Sequence, residues 1–168
     1  MTGIDKDWIS KQLNKGISAE EAVIKAEKVR RDHIKLQEAV DIYDQIIRDD
    51  EKHLESMKVI ASRYGHESGG MMEAAGGVLG GVKSMIEGVT ASEPFQTIGD
   101  DLMLKSNAIN YDQVWTEIFR AIGDEQSAAE MEQAALDDQG HHRLMQNLLA
   151  KIGMMEARGR KAEDRHAA

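Results

Sequence analysis

The feature that most limits the fold is a long stretch without helix-breaking residues. Residues 18–64 contain neither glycine nor proline, and their apolar side chains recur at spacings of three and four. This periodicity predicts helix, and residues 18–21 (Ser-Ala-Glu-Glu) have the form of a capping box at its start. Because one globular helix of this length is unusual, we predict a hairpin that turns within residues 31–36, with its second helix ending at Gly65.

The rest of the chain continues the helical pattern. We predict a crossover helix over residues 71–88, a third long helix over 100–122, and a fourth over 125–152 that ends at Gly153. Residues 1–17 are expected to form an N-terminal segment with a short helix, 18–153 the helical domain, and 154–168 a charged, flexible tail. The predicted fold is all-α: a four-helix bundle of two antiparallel hairpins with an extra crossover helix.

Composition excludes several kinds of protein. The chain has no cysteine, which excludes disulfides and every site that depends on a thiolate. Its net charge of -9 disfavours a nucleic-acid partner. No apolar run approaches the roughly 18 residues of a membrane span, and the N-terminus lacks the pattern of a secretory signal. We therefore expect a cytoplasmic protein with neither a nucleic-acid nor a membrane partner.

An internal repeat places polar residues in a helical context. Residues 49–57 and 137–145 share the pattern D-D-x-x-H-x-x-x-M at an offset of 88 residues, and the same offset relates Gly65 to Gly153. A shared motif followed by a shared glycine predicts two similar helical halves related by a pseudo-twofold axis.

The repeat also predicts where its polar side chains point. Asp50 and His53 in one half, and Asp138 and His141 in the other, fall on the apolar stripe of their helix. A carboxylate buried there must be paired, hydrogen-bonded or bound to a metal ion. Two facing Asp/His pairs can supply four ligands to one or two metal ions, and without metal they would form a buried hydrogen-bonded network. His142 is an alternative to His141, since it also lies one turn beyond Asp138.

The third helix has an apolar stripe of its own at the same spacing. We predict that its core positions are Leu104, Ala108, Tyr111, Trp115, Ile118 and Ile122.

These features resemble the ferritin-like superfamily: two long hairpins, a long connection, and an acid-x-x-His motif on the second helix of each hairpin. In particular, the chain is similar to the small bacterial stress-associated proteins of the YciE/YciF type. The matching segments are residues 19–21 (Ala-Glu-Glu), 53–55 (His-Leu-Glu) with Gly65, the crossover at 72–81, and the closing hairpin over 122–148. The resemblance covers about residues 19–153.

In metal-binding ferritin-like proteins each hairpin gives a Glu from its first helix and a Glu-x-x-His from its second. The resemblance therefore implies iron or manganese as the metal and a reaction with oxygen or peroxide during stress. We also expect a homodimer. The ligands it implies are Glu20 on the first helix, with Asp50, His53, Asp138 and His141 on the second helices.

The sequence departs from this ligand pattern on the second helices and on the third. On both second helices aspartate stands where the pattern has glutamate. On the first helix Glu27 is an alternative to Glu20. At the equivalent depth the third helix carries Lys105, Asn107 and Ala108, and its nearest acid, Asp112, lies about one turn away. The second half-site is thus expected to lack a third-helix carboxylate. A metal-free helical structural or interaction module is the alternative function.

Overall fold

The computed structural model describes residues 4–65 and 94–159, and within them the chain forms four long helices and no strand. They are α1 (Lys6–His33), α2 (Gln37–Arg63), α3 (Pro94–Ile122) and α4 (Glu125–Ala157). Helix α1 packs against α2, α3 against α4, and α2 against α4. The all-α prediction is confirmed, whereas the predicted crossover helix lies outside the described residues. None of the four helices has the length and apolar character that crossing a membrane requires.

The predicted start of the first helix at Ser18 is wrong. Helix α1 begins at Lys6, and its cap is Asp5, whose carboxylate accepts a hydrogen bond of 2.9 Å from the Trp8 amide. Ser18 is buried within the helix. Residues 6–17 are therefore the first turns of α1 and not a separate segment, because burial of their apolar stripe outweighs the helix-weakening effect of a single glycine. The buried side chains of that stripe are Ile9, Leu13 and Ile17.

The other helix ends agree with the prediction in part. The first turn occupies residues 34–36, as expected, and Gly65 follows α2 with a φ of +89° that glycine adopts without strain. Helix α3 begins earlier than predicted, at Pro94, which is favourable in the first turn of a helix. Helix α4 runs past Gly153, where an added Cβ would lie 2.9 Å from the Phe95 ring. Gly153 thus makes room for packing and does not end the helix.

One apolar core unites the four helices, and the predicted stripe of the third helix forms only part of that core, since Tyr111, Ile118 and Ile122 pack against it while partly buried. Trp115 and Phe119 are buried as core residues. The preceding turns of α3 bury polar side chains instead, while the predicted apolar positions of those turns are only partly buried. The buried polar side chains are Asp101, Lys105 and Asp112, and the partly buried apolar ones are Leu104, Ala108 and Tyr111.

Two helical glycines give a matched test of how tightly α1 approaches α3. A Cβ at Gly16 would overlap the Tyr111 hydroxyl and lie 2.9 Å from Met57 Cε, whereas a Cβ at Gly140 meets nothing within 4 Å. We expect Gly140→Ala to raise the free energy of unfolding by about 0.5–1 kcal/mol. Gly16→Ala should lower it by about 1–3 kcal/mol, measured by urea denaturation. Tyr111→Phe should restore part of that loss, and a stabilising Gly16→Ala would contradict the close approach.

Candidate metal centre

The two halves of the repeat meet in the interior. Asp50 on α2 and Asp138 on α4 are buried, and so is His141, while the side chain of His53 keeps 12% of its exposure. The predicted position of the motif on the buried face of both helices is therefore confirmed. Because α2 packs directly against α4, the two Asp/His pairs face each other across one helix interface.

Each histidine is held by the other half of the repeat. His53 Nε2 donates to Asp137 Oδ2 at 3.1 Å, and His141 Nε2 donates to Asp49 Oδ2 at 3.2 Å. These reciprocal bonds connect α2 and α4 twice and give both aspartates of the D-D-x-x-H motif a role. An ionised carboxylate only accepts, so each bond fixes the ring and directs Nδ1 toward the interior.

The inward nitrogens converge on Asp50. Asp50 Oδ1 lies 4.0 Å from His53 Nδ1 and 3.8 Å from His141 Nδ1, and Asp138 Oδ1 lies 3.4 Å from His141 Nδ1. Burial lowers the pKa of His141, but its hydrogen bond to Asp138 and the nearby Asp50 raise that pKa overall. The surroundings of His141 thus stabilise its imidazolium form relative to that of an ordinary histidine.

The Oδ1 atom of Asp50 is a buried acceptor with no hydrogen-bond partner. An unsatisfied carboxylate oxygen in the interior is unfavourable by roughly 1–3 kcal/mol or more. Glu27, also buried, has an Oε2 without a partner when both carboxyl groups are ionised, and a hydrogen bond to Asp50 contributes to its raised pKa when Glu27 carries a proton. Such atoms mark places where a further cation or proton would be stabilised.

Lys105 on α3 supplies a positive charge to these buried carboxylates. Lys105 is 2% exposed, and its Nζ donates to Asp50 Oδ2 and to Asp138 Oδ1, the latter at 3.2 Å. Glu27 Oε1 lies 3.6 Å from the same nitrogen. Burial lowers the pKa of Lys105, but the carboxyl groups of Glu27, Asp50 and Asp138 hold it well above the usual value. The side chain is therefore an ammonium ion at neutral pH.

Carboxyl groups outnumber basic side chains around Lys105, and the raised pKa values of several carboxyl groups favour their protonated, neutral form. Burial, with the nearby Asp50, raises the pKa of Glu20 to about 8. Burial also raises the pKa of Asp112 to about 8, helped by Asp138 and Glu20, and that of Glu27 well above its usual value. The third helix does bury a carboxyl group near the cluster, because Asp112 is only 7% exposed and interacts with Asp138. Asp112 nevertheless belongs to neither set of candidate ligands among the described residues, so the second half-site lacks a third-helix carboxylate as expected.

A second buried ionic group lies one turn further along α1 and α3. Arg30 donates to Asp101 Oδ1, and the Tyr43 hydroxyl donates to Asp101 Oδ2. All three side chains are buried. Burial raises the pKa of Asp101 to about 6 even though Arg30 lowers it. This group joins α1, α2 and α3 and borders the Lys105 cluster, since Asp101 also interacts with Lys105.

Two sets of side chains have the donor chemistry of a metal site. One ligand atom from each of Glu20, Asp50 and His53 lies within 4.8 Å of the others, and the same holds for Asp50, Asp138 and His141. Mixed carboxylate and imidazole donors suit iron, manganese and zinc. The unpaired Asp50 Oδ1 belongs to a residue shared by both sets, and the inner nitrogens of both histidines are oriented by a carboxylate behind them. The donor set therefore fits a transition-metal ion.

The structure brings the predicted ligands together in one cluster, and the alternative ligand His142 lies outside it. Glu20, Asp50, His53, Asp138 and His141 all belong to the two sets. His142 is the exception among the candidates, because its Nε2 lies 3.0 Å from Ser106 Oγ, away from the cluster. His142 is therefore wrong as a replacement for His141.

An apolar cavity reaches the edge of the cluster from between α1 and α3. Its volume is about 260 Å³, and its walls include Gly16, Met57 and Tyr111. Glu20 and Asp112 are its acidic lining residues. Small uncharged molecules could approach the carboxyl groups by this route without crossing a charged surface.

Comparisons of the chain with protein-family models, with curated proteins and with solved structures find no match. The function must therefore be argued from the geometry of the site.

The pKa of Asp112 predicts how stability depends on pH. Its carboxyl titrates near 3.8 ordinarily and at about 8 here, so between these values the folded state keeps a proton that the unfolded chain has lost. This group therefore lowers the free energy of unfolding by about 1.4 kcal/mol for each unit that pH rises. In chelator-treated protein, Asp112→Asn should become progressively more stable than wild type between about pH 5 and pH 8. Urea denaturation at several pH values measures the difference.

The matched control is the exposed carboxyl of Asp41, where Asp41→Asn should leave the pH slope of stability unchanged. Parallel stability curves for Asp112→Asn and wild type would show that Asp112 is ionised in the folded protein, in contradiction to its burial beside Asp138 and Glu20.

Proposed function

We propose that this chain is a ferritin-like metalloprotein that binds iron or manganese between α2 and α4 and handles oxygen or peroxide. The observation that carries the proposal is the buried, unpaired Oδ1 of Asp50, with the Nδ1 atoms of His53 and His141 directed toward it. The ligands proposed are Asp50, His53, Asp138, His141 and Glu20, the residues that the ferritin-like resemblance implied.

The chain's own groups prepare such a site before any ion binds. Asp137 and Asp49 hold the two imidazole rings in position, which removes the entropic loss of orienting them on binding. Because the pKa of Glu20 is raised to about 8, this carboxyl must lose a proton to bind a cation at neutral pH, so metal affinity should increase with pH. When bound, iron or manganese would supply one-electron redox chemistry toward oxygen or peroxide.

The surroundings of the cluster suit that chemistry. Met57, Ile60 and Met145 are buried apolar side chains that restrict water in the interior. The cavity lined by Glu20 and Asp112 offers a route for a small neutral oxidant. With a pKa of about 8, the Asp112 carboxyl keeps its proton at neutral pH and can donate it at the cavity edge.

Metal uptake is the direct test. Tag-free protein is loaded anaerobically with Fe(II) or Mn(II), desalted and analysed for metal per chain, with thermal unfolding followed in parallel. We expect the ion to be retained and to raise the melting temperature; a ligand at 100 times its Kd stabilises the folded state by about 2.7 kcal/mol. Asp50→Asn should abolish retention.

A supporting aspartate gives a graded version of this test. Asp137→Asn removes the carboxylate behind His53 and should weaken metal affinity by about 10–100-fold while leaving every proposed ligand in place. His33→Gln is the control, because His33 is exposed at the end of α1 and should leave affinity unchanged. Failure of wild type to retain Fe(II), Mn(II) or Zn(II), with no rise in melting temperature, would overturn the proposal.

A metal-free helical structural or interaction module is the second candidate, and the position of Lys105 favours it. The Lys105 ammonium already donates to both Asp50 and Asp138, so the cluster has an internal cation. On this alternative, Asp50→Asn and His53→Gln change the melting temperature but no property that depends on metal. A melting temperature that rises with added metal would exclude it.

A further inference from the structure

The Lys105 ammonium contacts two members of one ligand set, Asp50 and Asp138, but only Asp50 of the other. Lys105 Nζ donates to Asp138 Oδ1 at 3.2 Å, and the same oxygen lies 3.4 Å from His141 Nδ1. A metal ion bound to His141 Nδ1 and to this oxygen of Asp138 would therefore share the oxygen with the ammonium. Two cations at one carboxylate oxygen, in an interior that screens charge poorly, repel each other strongly.

The other ligand set remains open. Lys105 binds Asp50 through Oδ2, which leaves Asp50 Oδ1 without a hydrogen-bond partner. That free oxygen lies 4.0 Å from His53 Nδ1, and Glu20 belongs to the same ligand set as Asp50 and His53. The ion pairs of Lys105 in the described part of the chain are with Glu27, Asp50 and Asp138. Lys105 lowers the pKa of Glu20 but forms no ion pair with Glu20 or His53, so an ion bound through Asp50 Oδ1 would not compete for the oxygen atoms that the lysine contacts.

We propose that the centre holds a single metal ion, bound by Glu20, Asp50 Oδ1 and His53, and that the Lys105 ammonium replaces a second ion in the Asp50, Asp138 and His141 half. The inference rests on the proposed function, since it assigns the number and place of the ions at that same site. Lys105 thereby sets the stoichiometry: it neutralises Asp138 permanently and divides two similar ligand sets into one that accepts metal and one that does not.

The wild-type protein and two histidine variants test the location. Mn(II) is the probe; metal per chain is measured after desalting, and electron paramagnetic resonance distinguishes an isolated ion from a spin-coupled pair. We expect one isolated Mn(II) per chain in wild type, its loss in His53→Gln, and its retention in His141→Gln. The two substitutions are matched, because each histidine occupies the same place in its half of the repeat.

Substitution of the lysine tests the cause. Lys105→Met removes the ammonium with little change in side-chain length, so we expect two Mn(II) ions per chain and the spectrum of a coupled pair. Lys105→Arg keeps the positive charge and should retain one ion. If Lys105→Met is unfolded in chelator, because its carboxylates have lost their internal cation, Mn(II) should restore the helical circular dichroism at two ions per chain.

The outcomes separate this inference from the function on which it rests. A wild-type chain that retains none of Mn(II), Fe(II) and Zn(II) overturns the proposed function and the inference together, and one that retains Fe(II) or Zn(II) but no Mn(II) overturns the inference alone. Two ions in wild type, one ion in folded Lys105→Met, or loss of the ion in His141→Gln with retention in His53→Gln would each overturn the inference alone. A Lys105→Met chain that stays unfolded with Mn(II) also counts against it, and the histidine pair still decides the location.

Discussion

The arrangement of the interior follows from the burial of more carboxyl groups than basic groups. Lys105 and Arg30 are the buried cations of this region, and they face carboxyl groups from all four helices. A buried carboxylate without a cation or proton would destabilise the fold by several kcal/mol, a large part of the stability of a domain this size. Lys105 offsets that penalty at Asp50 and Asp138, and protonation offsets it at Glu20 and Asp112, whose pKa values rise to about 8.

The repeat supplies the directional part of this arrangement. An apolar helix interface tolerates sliding, whereas the reciprocal pairs His53–Asp137 and His141–Asp49 require one register of α2 against α4. The same pairs turn the inner ring nitrogens toward Asp50. The same two hydrogen bonds therefore set both the register of α2 against α4 and the orientation of the histidine rings. A substitution that removes either bond would weaken both.

Periodicity predicted the features that depend on one helix at a time. It placed Asp50 and Asp138 on a buried face, which follows from spacing along the chain. The length of the uninterrupted helical pattern placed the first turn within residues 31–36, a range that includes the observed turn at 34–36. Periodicity did not predict the partners of Asp49 and Asp137, whose role depends on which helices face each other. Nor did it predict the interior position of Lys105, because a single lysine on an amphipathic helix normally marks the solvent side.

Helices α1 and α3 do not repeat the motif that α2 and α4 share: α1 contributes the carboxyl of Glu20 to one ligand set, whereas α3 places the ammonium of Lys105 against Asp138 of the other. On both helices an acid precedes a base, Glu27 before Arg30 on α1 and Asp101 before Lys105 on α3. Glu27 meets Lys105 and Arg30 meets Asp101, so two ion pairs of opposite polarity cross the same interface. Because a displacement of α1 along α3 would bring like charges together, these pairs also fix the register of that interface. Charge compensation in this interior is thus unequal between two otherwise similar halves, and that inequality decides where a further cation can be accommodated.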